Sequence, residues 1–309
     1  MKKIIITALL FGMALAGMAQ PQMKRKAVKW IASDDHVCMN AEWSPDGKKI
    51  AFTSDNNKGV FVCNAKGRQV ERITDDANVG FRFSWSADGK SILSKSLVVT
   101  GNKRYQEVVM YDAGSKKKKV LLGKAQDIKS IPRWVDGGAS VAVLVDNDLV
   151  KVPTGKAKLK GAAEDQIALL QGNIVVGAED VVLADPKFQG RYVFNHVQSP
   201  DGSKVVFQVN GLGLYVIDAD GSHLKHLGYG EQAAWTPDGK YVLVTNVKDD
   251  GVVLTSGEIV AIDVNTKQSF QLLTDPDIIA LNPSLSPDGN MVLIDNVKDG
   301  AIYMFEIEP

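Results

Sequence analysis

The chain has 309 residues, with 36 basic and 36 acidic side chains and 45% apolar residues. That balance suits a globular protein and argues against a nucleic-acid binder, which is normally markedly basic.

The first nineteen residues, MKKIIITALLFGMALAGMA, differ from the rest. Two lysines precede an apolar run from Ile4 to Ala16, and Gly17-Met18-Ala19 then offers a small-x-small cleavage site. This is the plan of a secretory signal peptide, and the run is shorter than the ~20 residues that span a bilayer. No cysteine follows for lipid attachment. The expectation is a signal peptide over 1–19, a short segment over 20–27, and a periplasmic or secreted protein with no membrane span after cleavage.

From residue 28 one phrase recurs. Trp43, Trp85, Trp134 and Trp235 share a repeat position, which Gln198 and Leu285 fill in two further copies. A turn follows each: Ser44-Pro45-Asp46-Gly47, Ser86-Ala87-Asp88-Gly89, Val135-Asp136-Gly137-Gly138, Ser199-Pro200-Asp201-Gly202, Thr236-Pro237-Asp238-Gly239 and Ser286-Pro287-Asp288-Gly289. Proline presets the second turn position and glycine takes the left-handed one, so each phrase predicts a hairpin. Period-two alternation then runs on from Ile50, Ile92, Val141, Val205, Val242 and Val292. A third apolar run follows in every copy and a shorter fourth in most. Four short strands in each of six units predict an all-β, six-bladed β-propeller with four-stranded antiparallel blades.

The two ends complement each other. The last copy stops after its third strand, AIYMFEIEP, whereas Val28–Ala32 is a strand with no blade of its own. Val28, Ile31, Asp34, Val37 and Trp43 each stand 42 residues before Val70, Ile73, Asp76, Val79 and Trp85. Val28–Ala32 is therefore expected to complete the last blade and close the ring over 28–309, which removes an open edge. Between Trp134 and Gln198 the interval is 64 residues, and an insertion is expected at about 162–190. Cys38 and Cys63 fall on strands two apart in the first blade, ~9.5 Å from each other, which predicts two unpaired buried thiols.

The unit Trp43-Ser44-Pro45-Asp46-Gly47 leading into Ile50-Ala51-Phe52 resembles the TolB-like β-propeller repeats of the cell envelope. It also resembles the related repeats in propeller domains of prolyl-oligopeptidase-type peptidases. The resemblance spans Val28 to the C-terminus. It implies a propeller without the α/β domain that precedes the propeller in TolB, and a partner that is a protein or peptide. No G-x-S-x-G elbow accompanies it.

Chemistry-bearing residues are few. The tryptophans, fixed beside tight turns, read as core packing. The turn aspartates read as caps of their own backbone, and Asp218 to Gly221 as half a calcium loop without its distal glutamate. No metal site and no cofactor is expected. Lys116–Lys119 reads as solvated surface.

Three residues before the tryptophan position stand Asn40, Arg82, Ile131, Asn195, Gln232 and Asn282, five of them polar. Two readings stand side by side: convergence on the central channel, or amides that satisfy backbone groups between blades. His196 lies one residue further along, facing the channel or held as a structural histidine. Loop length varies on one face only, at TGNKRY and KDDGVVLTSGE, and the same face carries Asp75, Asp76, Asp275 and Asp277. Variable loops on one face of a repeat scaffold mark a binding face. The expected function is a monomeric, non-enzymatic binding or scaffolding propeller that docks an envelope protein or peptide there. The alternative is a propeller lyase, lactonase or glycosidase acting on a saccharide or lactone in the channel.

Overall fold

The computed structural model describes residues 20–126, 128–146, 148–159, 175–176, 181–182 and 186–308. The expected signal peptide and most of the expected insertion lie outside these residues.

Strand β1 (Gln22–Ile31) opens the chain. Blade one follows as β2 (Met39–Trp43), β3 (Lys49–Thr53), β4 (Val60–Asn64) and β5 (Glu71–Thr74). Blade two is β6 (Ser84–Trp85), β7 (Ser91–Thr100), β8 (Lys103–Asp112) and β9 (Lys118–Ala125). Blade three has β10 (Arg133–Val135), β11 (Ser140–Val145) and β12 (Asp148–Pro153), followed by a short hairpin of β13 (Val175–Val176) and β14 (Val181–Val182). Blade four is β15 (Val193–Gln198), β16 (Lys204–Val209), β17 (Gly213–Asp218) and β18 (Lys225–Gly228). Blade five is β19 (Glu231–Trp235), β20 (Tyr241–Asp249), β21 (Leu254–Asp263) and β22 (Ser269–Leu273). Blade six is β23 (Ala280–Leu285), β24 (Met291–Asn296) and β25 (Ala301–Glu308), with β1 as its outer strand.

The fold is thus the expected six-bladed propeller ring. Among the described residues blade three carries three strands rather than four. Part of the region expected as an insertion is described, and it holds the β13–β14 hairpin and a 3-10 turn at Pro186–Phe188. Phe188 is fully buried edge-on against Tyr215, which anchors that end to blade four.

The closing strand is longer than Val28–Ala32. It begins at Gln22, because β25 runs on to Glu308 and offers partners as far as Gln22↔Glu308. Most of the expected 20–27 segment is therefore strand. Ile31 is buried in the core shared with Trp43, Leu293 and Ile302, so the first and last blades pack as neighbours. Val28 stays half exposed, as Val70 does at the matching place in blade one.

The turns form for the reason the sequence suggests. In blade one the Ser44 hydroxyl donates to Asp46 Oδ1 at 2.7 Å, Asp46 Oδ1 accepts the Lys48 N–H, and Gly47 sits at φ 68°. Ser86/Asp88, Ser199/Asp201, Thr236/Asp238 and Ser286/Asp288 repeat the first of these bonds. The hydrogen bonds favour the ionised form, and at Asp201 the serine and backbone donors lower the carboxyl to about 2. Trp43, Trp85, Trp134 and Trp235 are all buried. The Trp85 indole N–H donates to Glu42 O of the preceding blade and that of Trp235 to Val197 O, so the residue that fills the core also ties neighbouring blades.

Candidate functional site

The polar ring has a backbone cause. Asn40, Arg82, Asn195, Gln232 and Asn282 all lie in the left-handed region, at φ between 51° and 57°. Asparagine adopts that conformation more readily than other non-glycine residues. The innermost strands of blades one, four, five and six each hold one extra residue there. In blade one Met39 pairs with Thr53 but Glu42 pairs with Ala51, and blade six repeats the slip between Leu281 and Ser284. These are β-bulges, which re-aim side chains where a strand reaches a rim. Ile131 of blade three has no positive φ, which fits its apolar identity.

A second set of residues answers the bulges, and sequence reasoning missed it. Ten residues past the tryptophan position stand Thr53, Lys95, Leu144, Gln208, Thr245 and Asp295, all buried. Five of the six are polar, and the exception, Leu144, belongs to blade three, where the ring residue is Ile131. Several reach the next blade's backbone: Lys95 Nζ donates to Ile128 O, Gln208 Nε2 to Gly230 O, and Asp295 Oδ2 accepts the Asn40 N–H. Thr53 lies so close to blade two that a Cβ on Gly80 would stand 1.9 Å from its Oγ1. The available signal was a polar residue on the buried face of each second strand.

All six channel residues proposed from sequence line one central cavity of about 630 Å³. Asn282 Nδ2 donates to Asn40 Oδ1 at 2.8 Å and to Asp295 Oδ2 at 2.7 Å, while Gln232 Oε1 accepts the Asn282 N–H. These bonds join the amides to one another, to the Asp295 carboxyl and to backbone.

The charged groups sit elsewhere on the wall. Arg82 Nη2 donates to Asn195 Oδ1 at 2.6 Å, and Arg133 Nη2 donates to His196 O at 2.7 Å. Two guanidiniums from different blades therefore converge on one dipeptide of blade four. Glu42 lines the same lumen, open to solvent within it yet enclosed by protein around it. That enclosure pushes its carboxyl up to about 7, against the downward pull of Arg82 and Arg133. His196 is buried, and burial followed by the charges of Arg133 and Arg82 holds it well below the usual histidine range, hence neutral. Behind the ring, burial pushes Asp295 up to about 7 despite hydrogen bonds from Asn40 and Asn282. Glu42 and Arg133 were not singled out from sequence, since the position before the tryptophan shows no shared residue type.

The rim aspartates divide. Asp75 and Asp277 are exposed, and Asp275 Oδ1 accepts the Asp277 N–H at 2.8 Å within its own turn. Asp76 is committed to the fold: its Oδ2 accepts Tyr111 Oη at 2.5 Å and Lys118 Nζ at 2.7 Å from blade two. Burial works to raise its pKa, but these partners hold it below the ordinary value. Lys118, part of the run read as solvated, is half of that lock.

The same face collects apolar surface. Of thirteen exposed large hydrophobics among the described residues, ten lie in its loops and hairpin tips, including Phe81, Val99, Tyr192, Tyr229, Val252 and Val253. Two hairpins, β7–β8 and β20–β21, extend there with strands of nine or ten residues. Among the described residues no group of three or more His, Cys, Asp or Glu side chains is placed to hold a metal ion. No helix among them is long and apolar enough to cross a membrane.

Residues 15–88 match the family model described as the dipeptidyl peptidase IV (DPP IV) N-terminal region. The chain is a six-bladed propeller. Similar solved structures include TolB from Acinetobacter baumannii, at 17% identity and a TM-score of 0.39 over 89% of this chain. The propeller spans 55% of that TolB chain. An oligogalacturonate lyase in complex with manganese is 12% identical, with a TM-score of 0.50 over 93% of this chain and 94% of the other. The Cps50 (Swd1) β-propeller domain of Myceliophteria thermophila is 11% identical, with a TM-score of 0.59 over 91% and 99%. At such identities the likeness speaks to fold alone. No curated protein matches the sequence.

Proposed function

We propose that this is an exported, monomeric binding propeller that docks a polypeptide on its long-loop face and at the channel mouth. The observation that carries the reading is that the loops of that one face carry most of the exposed large apolar and aromatic side chains among the described residues, and one of these, Phe81, also lines the polar channel. Exposed apolar surface beside polar groups marks interaction sites. Asp75 and Asp277 on the rim favour a basic or neutral segment and make association salt-sensitive. The test is retention of a degenerate octapeptide pool on the immobilised protein, read by mass spectrometry. A double variant, Tyr229→Lys with Val252→Lys, loses retention, whereas Lys116→Glu with Lys117→Glu, which spares the Lys118–Asp76 pair, keeps it. Loss in the Lys116/Lys117 variant alone places the partner on the opposite face.

One observation favours a second reading, a propeller enzyme acting on a saccharide or lactone. Glu42 lines the channel, where enclosure pushes its carboxyl up to about 7 against the pull of Arg82 and Arg133, a range suited to a general base. Under that reading a panel of polyuronates and lactones gives turnover that Glu42→Gln abolishes.

A further inference from the structure

The second strand of every blade begins at the same repeat position, at Lys49, Ser91, Ser140, Lys204, Tyr241 and Met291. The strands end differently. β3 has five residues and β11, β16 and β24 have six, whereas β7 has ten and β20 nine. All the extra length therefore stands at the long-loop face. There the β7–β8 and β20–β21 hairpins rise roughly 10–13 Å above the others, at ~3.3 Å per residue. They belong to blades two and five, which lie on opposite sides of the six-bladed ring and so flank the channel mouth. Pairing continues to both tips, at Thr100↔Lys103 and Asp249↔Leu254. Each hairpin is braced at its foot. The Leu97 N–H donates to Ala77 O, and β21 passes so close to blade six that a Cβ on Gly257 would stand 2.6 Å from Ala280 O. The two hairpins are ordered prongs.

Their tips share apolar chemistry and differ in charge. Val99 is 62% exposed on one, and Val252 and Val253 are 90% and 59% exposed on the other. Asp250 Oδ1 accepts the N–H groups of Val252 and Val253, both at 2.9 Å, which fixes the turn that holds these valines in solvent. Apolar side chains displayed on an ordered tip serve no core and mark a docking surface. The blade-two tip carries Lys103 and Arg104, both exposed, and Lys124 Nζ donates to its Thr100 Oγ1 at 2.8 Å. No acid stands between Val98 and Tyr105. The blade-five tip carries Asp249 and Asp250, with Lys248 its one cation. Backbone donors from Val253 and Val252 hold the Asp250 carboxyl below its ordinary value, hence ionised. The tips stand above the rim by more than the ~8 Å over which salt screens exposed charges, so they act apart from the rim aspartates.

We propose that the two prongs set the direction of the docked polypeptide. The segment crosses the channel mouth with its acidic end against Lys103 and Arg104 and its basic end against Asp249 and Asp250. Apolar residues just inside these ends meet Val99 and Val252. The inference rests on polypeptide docking at the long-loop face. Charge complementarity names the occupant: a uniformly basic or uniformly acidic segment meets one attractive prong and one repulsive prong. Each exposed pair is weak alone, but all of them favour one direction, and such charges fix register and exclude wrong partners more than they add affinity.

The experiment uses degenerate dodecapeptide pools with fixed ends on the purified protein. One pool carries Glu-Glu at one end and Lys-Lys at the other, made in both chain directions. The control pool has the same composition with Glu-Lys at each end. At low salt the segregated pool is retained about fivefold more than the control, and the preference falls to parity near about 1 M salt. A photo-crosslinker beside the glutamates labels Val98–Arg104, and one beside the lysines labels Lys248–Leu254. Lys103→Glu with Arg104→Glu, at an exposed tip, reverses the choice and retains a pool with Lys-Lys at both ends over the segregated one. Equal retention of segregated and control pools overturns the direction while leaving polypeptide docking intact, and retention of neither overturns both. Crosslinks from both ends to one prong overturn the crossing. Prongs of opposite charge also match a second copy turned about a two-fold axis. A concentration-dependent dimer in sedimentation, lost in the Lys103/Arg104 variant, makes that copy the occupant and overturns the polypeptide.

Discussion

Arg82 of blade two bonds Asn195 of blade four across the channel, past the apolar Ile131 of blade three, with 2.6 Å between Nη2 and Oδ1. Asn195 is committed twice, since Oδ1 serves Arg82, Nδ2 serves Gln208, and its backbone is left-handed at φ 52°. These demands separate by substitution. Asn195→Gly keeps the backbone and loses the bonds, and costs about 1–3 kcal/mol. Asn195→Ala adds the left-handed penalty of roughly 1 kcal/mol. Urea midpoints are expected in the order wild type, glycine, alanine. An alanine variant as stable as the glycine one refutes the backbone role.

Glu42 and Asp295 give stability a pH dependence of definite sign. Both carboxyls are raised to about 7, so the folded protein keeps protons that the unfolded chain releases near pH 4. Their contribution is complete below about pH 4 and is lost as pH rises through 7. His196, held neutral, acts in the opposite sense below its ordinary 6.5. Asp295→Asn isolates one group: its amide oxygen still accepts from Asn40, with no charge to bury. The variant's melting temperature at pH 8 is expected to rise by a few degrees over wild type, with the gap closing at pH 5. Parallel profiles for the two proteins contradict it.

Asp75 and Asp76 are neighbours with different work. Asp76→Ala removes the acceptor for Tyr111 and Lys118 and is expected to destabilise by about 1–3 kcal/mol. Asp75→Ala, at an exposed site, should stay within about 0.5 kcal/mol. Equal melting temperatures would return Asp76 to the rim.

Deleting Lys24–Ser33 removes most of β1. It exposes β25 along its length and strips Ile31 from the core between the first and last blades. The truncated protein is expected to melt far below the full chain or to aggregate through the open edge. One that melts like the intact protein argues against closure by this strand.

Cys38 and Cys63 are both buried and unbonded. Burial pushes the thiols up to about 11 and about 12, where thiolate chemistry is suppressed. Titration of unfolded, oxidised protein should count two thiols per chain. A count of zero shows a disulfide and overturns the assignment.

The repeat was legible because its turn makes local demands that only a few residues meet. Proline, a capping aspartate and a left-handed glycine recur at set distances from the tryptophan. Closure was legible because the two ends shared that register. The polar ring was also visible, although its cause, a left-handed residue that forms a bulge in the innermost strands of blades one, four, five and six, leaves no mark beyond a preference for asparagine. What stayed hidden depends on contacts between blades. Lys95, Gln208 and Asp295 do related jobs with different chemistry, so no shared letter flags them. Asp76 read as a rim acid because Tyr111 and Lys118 lie 35 and 42 residues away in another blade. Arg133 and Glu42 occupy a position where each blade carries its own residue type.

The bulges divide the lumen into two layers with unequal freedom to change. At the upper layer, Asn40, Arg82, Asn195, Gln232 and Asn282 must satisfy a left-handed backbone before any other demand, which leaves a narrow choice of side chains. The lower layer, Glu42, Ser84, Arg133, Val197, Ala234 and Ser284, has no positive φ. There an acid, a base, a hydroxyl and a bare methyl are equally compatible with the strand. A propeller built this way can exchange one ligand for another by altering the lower layer alone, while the upper layer keeps the six blades in register.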